Sequence, residues 1–533
     1  MTDHHAFLRT ILDHPDNDSP RLVYADWLDE HGEQARAELI RVQCELEKLT
    51  DEDPRGVVLC EREAELLTAH AHDWRAGLPV WVRGPGRSGK GTLARHRGRA
   101  QFRRGTFHFR LSAREFLLHG KMLRRKVPFD SLCLDQAAGH IHDLLTSGLL
   151  QGLRHLDIGY NHDMSDGEAI ELAGSAQLAS LRSLNVENPQ FGADAWRALV
   201  SSPHLANLTR FQANACPAIL WEVLVKYAAW TRLERLRLGT RGYTRTSMVD
   251  FADSPRWGGL QELDISFSSI GPDGAEAMAR SPYLRNLRWL NLKDCKMEDK
   301  GVKALVGSPS FGSLVYLDLS GNSMGAEGAR ALGKSPYMGN LLRLELYNEG
   351  VGDDLLAELA SSQLHQLTWL GIPGWACLAT DAGVQALARG PLLGHLTVLN
   401  LRGNRSITST GVKALVDNSA ARNLLRLDLG FCTVGPEGAT AIARSPHLTS
   451  LHMLNLARSG IRREGAEALA ASPGLPALVH LDLEFNEIRD AGTRALLASP
   501  LAARLNQLHL EKNYITRPVR QQLREHFGKR VFV

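Results

Sequence analysis

From residue 129 onward the chain repeats one spacing of apolar positions: apolar, two variable residues, apolar, one variable residue, apolar. The first apolar position falls at Phe129, Leu153, Leu181, Leu208, Leu233, Leu260, Leu287, Leu314, Leu341, Leu367, Leu396, Leu424, Leu451, Leu478 and Leu505, fifteen copies 24 to 29 residues apart. In the copy starting at Leu314, Leu317 and Leu319 lie two apart and so share one face of an extended strand. The second half of each copy reads as a helix, as in residues 271–282. Glycine recurs in it at one phase, at Gly167, Gly274, Gly301, Gly328, Gly438, Gly465 and Gly492. Because glycine costs about 1 kcal/mol in a helix, its recurrence predicts a close approach of helix to sheet. A Ser-Pro pair then closes most copies, with Pro309 and Pro336 as examples, and is expected to stop the helix by removing a donor. Strands need about 4.8 Å of width and helices about 10 Å, so stacking curves the chain. The expected fold is an α/β solenoid with parallel strands on the concave face and helices on the convex face.

Eight residues after the first leucine comes a turn position. It holds Asn161, Asn322, Asn404, Asn486 and Asn513 in five copies and Cys216, Cys295 and Cys432 in three. An asparagine there can bond the backbone of the neighbouring turn, and cysteine is a small buried substitute. This combination of leucines, Asn or Cys and a helix in every copy resembles the ribonuclease-inhibitor-like leucine-rich repeats over residues 129–516. The resemblance implies a fold, and it implies a recognition scaffold more than a chemistry, since the family includes nuclease inhibitors and GTPase-activating proteins. Residues 517–533 form a C-terminal cap: Arg517 and Pro518 start a last helix and Gly528 stops it.

Residues 1–75 lack the repeat and predict a small all-α domain. Ser19 reads as an N-cap with Pro20 at the first helical position, and Gly32 ends that helix. A second helix carries Leu39, Val42, Leu46 and Leu49 on one stripe, and a third lies near 57–70. The strings at 20–32 and 37–46 resemble the planctomycete-type repeat-companion domain, which precedes repeats in bacterial paralogue families. Residues 103–112 are similar to the segment by which such proteins enter their first repeat. Residues 76–128 are therefore expected to be a basic linker and entry segment.

Composition narrows the class. The 533 residues carry 62 Lys and Arg against 59 Asp and Glu, a formal +3, so bulk charge points to neither nucleic acid nor membrane. No apolar run is long enough to span a bilayer, the N-terminus does not read as a secretory leader, and no Cys-x-x-Cys pair occurs. A cytoplasmic protein without metal or cofactor is expected.

Three features carry candidate chemistry. Residues 84–92 fit a phosphate loop, with Gly84, Gly89, Lys90 and Thr92 as its nucleotide-binding residues. The spacing is similar to that of adenylate-kinase-like nucleotide kinases, but only Glu115 supplies an acid before Asp130, so a Walker-B partner is wanting. Residues 75–126 hold fifteen Lys and Arg against one Glu, a net +14 that would suit nucleic acid or an acidic partner. The third feature is the row of outward strand positions. Asp264 and Asp318 belong to an acid and amide stripe, and one position earlier come Trp289, Tyr316, Arg343 and Trp369, with Tyr347 nearby. Large aromatics and arginine on an exposed sheet are the residue types of binding hot spots. Irregular loops at 239–259 and 371–383 interrupt the repeat, the second bringing Trp375 towards Trp369. The His-x-His pairs at His70/His72 and His140/His142 would point apart on a helix and do not suggest a metal. The expected function is non-enzymatic protein recognition on the concave face. The alternatives are a nucleotide-binding or GTPase-regulating role for 84–92 and nucleic-acid binding through 75–126.

Overall fold

The computed structural model describes residues 3–14, 17–48, 54–76, 78–79, 82, 100–188, 190–214, 216–241, 245–347, 350, 352–374 and 379–533. The chain divides into two compact units, Met1–Ser268 and Ser269–Val533. The candidate phosphate loop, with Gly84, Gly89, Lys90 and Thr92, lies outside the described residues, as does Trp375.

The first unit opens with four helices: Asp3–Asp13, Ser19–Glu30, Gln34–Lys48 and Pro54–Trp74. The first of these was not evident in the sequence. Ser19 is inside its helix, not ahead of it; Asp18 is the N-cap and its side chain makes no capping bond. Asp18 instead pairs with Arg104, which arrives from a β-hairpin of strands Ala100–Arg103 and Thr106–Ser112. The hairpin turn uses Arg104 and Gly105, both at positive φ, so the chain reverses in two residues. Its tip is held by the helices. Gln43 accepts a bond from the Arg104 amide at 2.6 Å and donates to the Phe102 carbonyl at 3.3 Å.

The second hairpin strand starts a parallel sheet. Thr106–Ser112 pairs with Ser131–Asp135, followed by His155–Asp157, Ser183–Asn185, Arg210–Gln212, Arg235–Arg237 and Glu262–Asp264. The entry segment thus contributes a strand and a capping-boxed helix, Ala113–Lys126, ahead of the first regular repeat. The stretch 239–259, expected as a loop, contains the helix Arg245–Ala252.

The second unit continues the same alternation. Its strands run in parallel from Trp289–Asn291 through Tyr316–Asp318, Arg343–Glu345, Trp369–Gly371, Val398–Asn400, Arg426–Asp428, Met453–Asn455 and His480–Asp482 to Gln507–His509. The C-terminal Val531–Phe532 adds one further parallel strand after the helix Arg517–Phe527. The core is a leucine ladder: Leu290, Leu317, Leu344, Leu370, Leu399 and Leu427 are fully buried, and their strand neighbours lie on the opposite face, where Trp289 and Arg343 are half-buried and Tyr316, Asp318, Val398 and Asp428 are buried.

Three bonding ladders explain the recurring polar residues. Asn322 donates to the carbonyls of Leu292 and Leu319 at 2.8 and 2.7 Å and accepts from the amides of Cys295 and Met297 at 3.1 and 3.2 Å. In the Ser-Pro pairs at Ser202, Ser308, Ser335, Ser445 and Ser472 the serine donates to a carbonyl one repeat earlier, as Ser202 does to Ala173 at 2.6 Å and Ser472 to Ala443 at 2.7 Å. The third ladder joins helix starts. Asp353 accepts the amides of Thr380 and Gly383, and Asp381 those of Thr408 and Gly411, so each aspartate caps the next helix.

The helices Ala193–Ser201, Gly271–Arg280 and Gly435–Arg444 end at the Ser-Pro pair, its serine being the C-cap, and in residues 309–311 and 203–205 the proline also opens a short 3-10 turn, where a fixed φ and a missing donor fit the first position. One expectation needs correcting. The recurrent glycine does not meet the sheet. A Cβ at Gly301 would lie 3.1 Å from the Ala275 Cβ and 3.2 Å from the Pro272 Cα, and one at Gly465 would lie 2.9 Å from the Ala439 Cβ. The tight approach is to the helix of the preceding repeat.

Candidate functional site

On the open face of the second unit, the outward position at each strand start forms one register row: Trp289, Tyr316, Arg343, Trp369, Val398, Arg426. Parallel strands place these residues about 4.8 Å apart, so flat side chains stack across the sheet. The Trp289 and Tyr316 rings are nearly parallel, 8° apart, with centroids separated by 4.5 Å. The Arg343 guanidinium lies 5.3 Å from the Tyr316 ring and 3.9 Å from the Trp369 ring, and Arg426 approaches the far side of Trp369 at 6.0 Å. The row is a continuous aromatic and cationic ladder. Each stacked or cation–π contact contributes about 0.5–1.5 kcal/mol, which also holds the side chains in place before any partner arrives.

Arg343 is fixed from below. Its Nε donates to Glu345 Oε1 at 3.0 Å, and a terminal nitrogen approaches the same oxygen at 2.9 Å. The Glu345 side chain is 14% exposed, and burial raises its carboxyl above the usual range while Arg343 opposes that rise. The carboxylate occupies the space a side chain at Gly371 would need, since a Cβ there would fall 1.8 Å from Glu345 Oε2. The gap in the acid and amide stripe at Gly371 is therefore part of the site.

The stripe itself has a local task. Asp264, Asn291, Asp318, Asn400, Asp428, Asn455 and Asp482 each accept the amide two residues on, at 2.8–3.0 Å. The bond closes the strand end, which accounts for the restriction to Asp and Asn. Asp318 is 8% exposed, and Asp264 lies in the first unit. Tyr347 stands beside the ladder with the Lys293 ammonium 5.3 Å from its ring.

A second array follows the strands. The Arg402 guanidinium lies 4.5 Å from the Phe431 ring, and Arg458 lies 5.2 Å from Phe431 and 3.8 Å from Phe485. Phe431, Arg458 and Phe485 all have φ between 53° and 63°, a left-handed turn that costs a non-glycine residue about 1 kcal/mol or more. Sequence reasoning missed this row because its residues fall in the turn. The available signal was an aromatic or arginine three residues after Asp428, Asn455 and Asp482.

Elsewhere, His142 bonds Glu171 at 2.7 Å. Among the described residues no group of three His, Cys, Asp or Glu side chains could hold a metal ion, and no helix is long and apolar enough to cross a membrane.

Seven segments of the chain, 260–279, 283–306, 313–333, 395–416, 420–443, 445–470 and 475–497, match the Leucine Rich repeat family. No curated protein matches. Among solved structures, the chain is similar to one from the Rad7 and Elc1 complex of yeast, at 17% identity over 71% of this chain and 86% of that one, with a TM-score of 0.44. It is also similar to a TDR receptor, at 15% identity over 76% and 63% of the two chains and a TM-score of 0.31. An internalin from Listeria monocytogenes matches at 17% identity over 64% and 88%, with a TM-score of 0.32.

Proposed function

We propose that this chain, which carries leucine-rich repeats, is a recognition scaffold that grips a protein partner on the open strand face of its second unit. The observation that carries the reading is the ladder Trp289, Tyr316, Arg343 and Trp369, ordered by its own stacking and by the Arg343–Glu345 ion pair. Pre-ordered aromatic and arginine side chains lose little entropy on docking, and such residues dominate binding energy where alanine replacement has been measured. The strand face supplies area, and the Asn291 and Asp318 bonds close the strand ends under Trp289 and Tyr316. Tyr347 and Lys293 extend the surface beside it.

Recognition of this kind needs no transformed substrate. The ladder offers dispersion, stacking and cationic donors; it contains neither a nucleophile nor a paired acid and base. The reading is tested by affinity capture with mass spectrometry, comparing the wild-type chain with a variant carrying Trp289→Ala, Tyr316→Ala, Arg343→Ala and Trp369→Ala. The expected result is loss of the captured partner by a variant that still unfolds cooperatively, at a melting temperature lowered by the missing ladder contacts. Equal capture by the two proteins would reject the site.

A further inference from the structure

The first unit presents a different chemistry at the same strand position. Its register row reads His108, Ser131, His155, Ser183, Arg210, Arg235, and only then a carboxylate, Glu262. Six strands at about 4.8 Å spacing make this row about 24 Å long, and it contains no acid. Arg103 on the hairpin is exposed, and its charge reaches His108, His155 and Arg210. In the next row Arg237 shares Glu262 with Arg235, at 3.6 and 3.0 Å. The carboxylate nearest Arg210 is Glu47 of the third helix, at 3.7 Å, and Glu47 also serves Arg104 at 3.4 Å. Arg104 is also held by Asp18, so Glu47 and Glu262 are shared along the row by Arg210, Arg235 and Arg237, with the exposed Arg103 beside them.

The consequence is a surplus of positive potential over a half-exposed polar strip. Burial and then the neighbouring arginines push His108 down to about 4 and His155 down to about 3, so both rings are neutral near pH 7 and add no charge of their own. Arg210 is likewise lowered, by burial first and then by Arg235. The side chains of Arg210, Arg235 and Arg237 remain 30, 40 and 42% exposed, so an incoming anion can reach them.

We infer that the strand face from His108 to Arg237 is a docking surface for a carboxylate-rich segment of another protein, with Arg103, Arg210, Arg235 and Arg237 as its receptors. Guanidinium groups take carboxylates in two parallel bonds, and the small Ser183 beside Arg210 leaves room on the strand face. The row favours a peptide over a nucleic-acid strand because its rings are two partly buried histidines, whereas single-strand binding relies on aromatic platforms for the bases. The inference does not rest on the aromatic ladder of the second unit.

The test uses the full chain and a fluorescently labelled decaglutamate peptide, with binding read by anisotropy at low and high salt. The expected result is salt-sensitive binding that weakens about tenfold or more in Arg210→Gln with Arg235→Gln. A control pair on the last helix, Arg517→Gln with Arg520→Gln, should bind as the wild type does. Should the change at half-buried Arg210 unfold the chain, the Arg103→Gln and Arg237→Gln pair reads the same surface and should lose affinity too. Absence of binding by the wild type, equal binding by the folded variants, or displacement of the peptide by a lower concentration of single-stranded oligonucleotide would each overturn the inference.

Discussion

Replacing Asn322 with alanine should cost about 3–5 kcal/mol of stability. The side chain is fully buried and makes four bonds of 3.2 Å or less to the backbone: two carbonyls accept from it and two amides donate to it. A bond of this kind contributes about 1 kcal/mol net, and a buried backbone group left without a partner costs about 1–3 kcal/mol. Four such groups lose their partner at once, and a water entering the vacated space recovers part of the loss. Asn322→Cys is the informative companion. At the same turn position, Cys432 donates its thiol to the Leu401 carbonyl at 3.2 Å, so cysteine keeps one bond and fills part of the volume. It should cost about half as much as alanine. Urea unfolding gives the two free energies, and amide exchange at Cys295 and Met297 gives the local effect, because repeat stacks open in neighbouring units. A loss below about 1 kcal/mol for alanine, or equal losses for alanine and cysteine, would refute the account of this ladder.

Two glycines at one helical phase should respond with opposite sign. Gly301→Ala drives a methyl into Ala275 and Pro272 and should destabilise by about 1–3 kcal/mol, whereas Gly167→Ala meets nothing within 4 Å and should stabilise by about 0.5–1 kcal/mol, both read by thermal melting. Gln43→Ala removes both bonds to the hairpin turn and should cost about 2 kcal/mol, with exchange at the Arg104 amide rising before that of the sheet. His155 stays neutral in the fold down to about pH 3, while the unfolded chain protonates it near 6.5. Its share of stability is therefore complete above pH 6.5 and is lost as the pH falls towards 3. His155→Gln should reduce the stability lost between neutral pH and about pH 5 by about 2 kcal/mol in urea titrations.

The solenoid was legible because its constraint is written fifteen times. The buried leucines, the turn asparagines and the strand spacing all follow from the period. What the period conceals is the partner of each residue. Gly301 announces a close approach without saying whether a sheet or a helix is near. Pro309 looks the same whether it ends one element or opens the next, and the bond by which Ser308 Oγ accepts the Ser310 amide, at 3.2 Å, makes Ser308 the cap of the following turn. Asp353 and Asp381 read as ordinary acids in a first helical turn; their second partner lies one repeat later, 27 residues away for Thr380 and Thr408. At the N-terminus, the helix Asp3–Asp13 escaped notice because nothing repeats there, and Pro20 drew attention to Ser19 although Asp18 is the cap. For the candidate site, Trp289, Tyr316, Arg343 and Trp369 were visible as a row. Glu345 beneath them was visible only as one member of a stripe. Its hold on Arg343 depends on the missing side chain at Gly371, which no spacing rule predicts.

The division of labour along each strand narrows where recognition can reside. Inner positions are committed to the leucine core. The position between them closes its own strand end, so it tolerates little besides Asp and Asn over most of the array. The outward position before it has no backbone duty, and there the residues vary most widely. That variation is segregated, not random. In the first unit it gives His, Ser and Arg and ends on Glu262; in the second it begins with Trp, Tyr, Arg and Trp and passes to Val, Arg, Met, His and Gln. A position used only for solvation would mix charges freely along its length. Adjacent arginines in one unit and stacked aromatics in the other are instead what two contact chemistries would leave on one repeated frame, the cationic row suited to carboxylates and the aromatic row to apolar and planar groups.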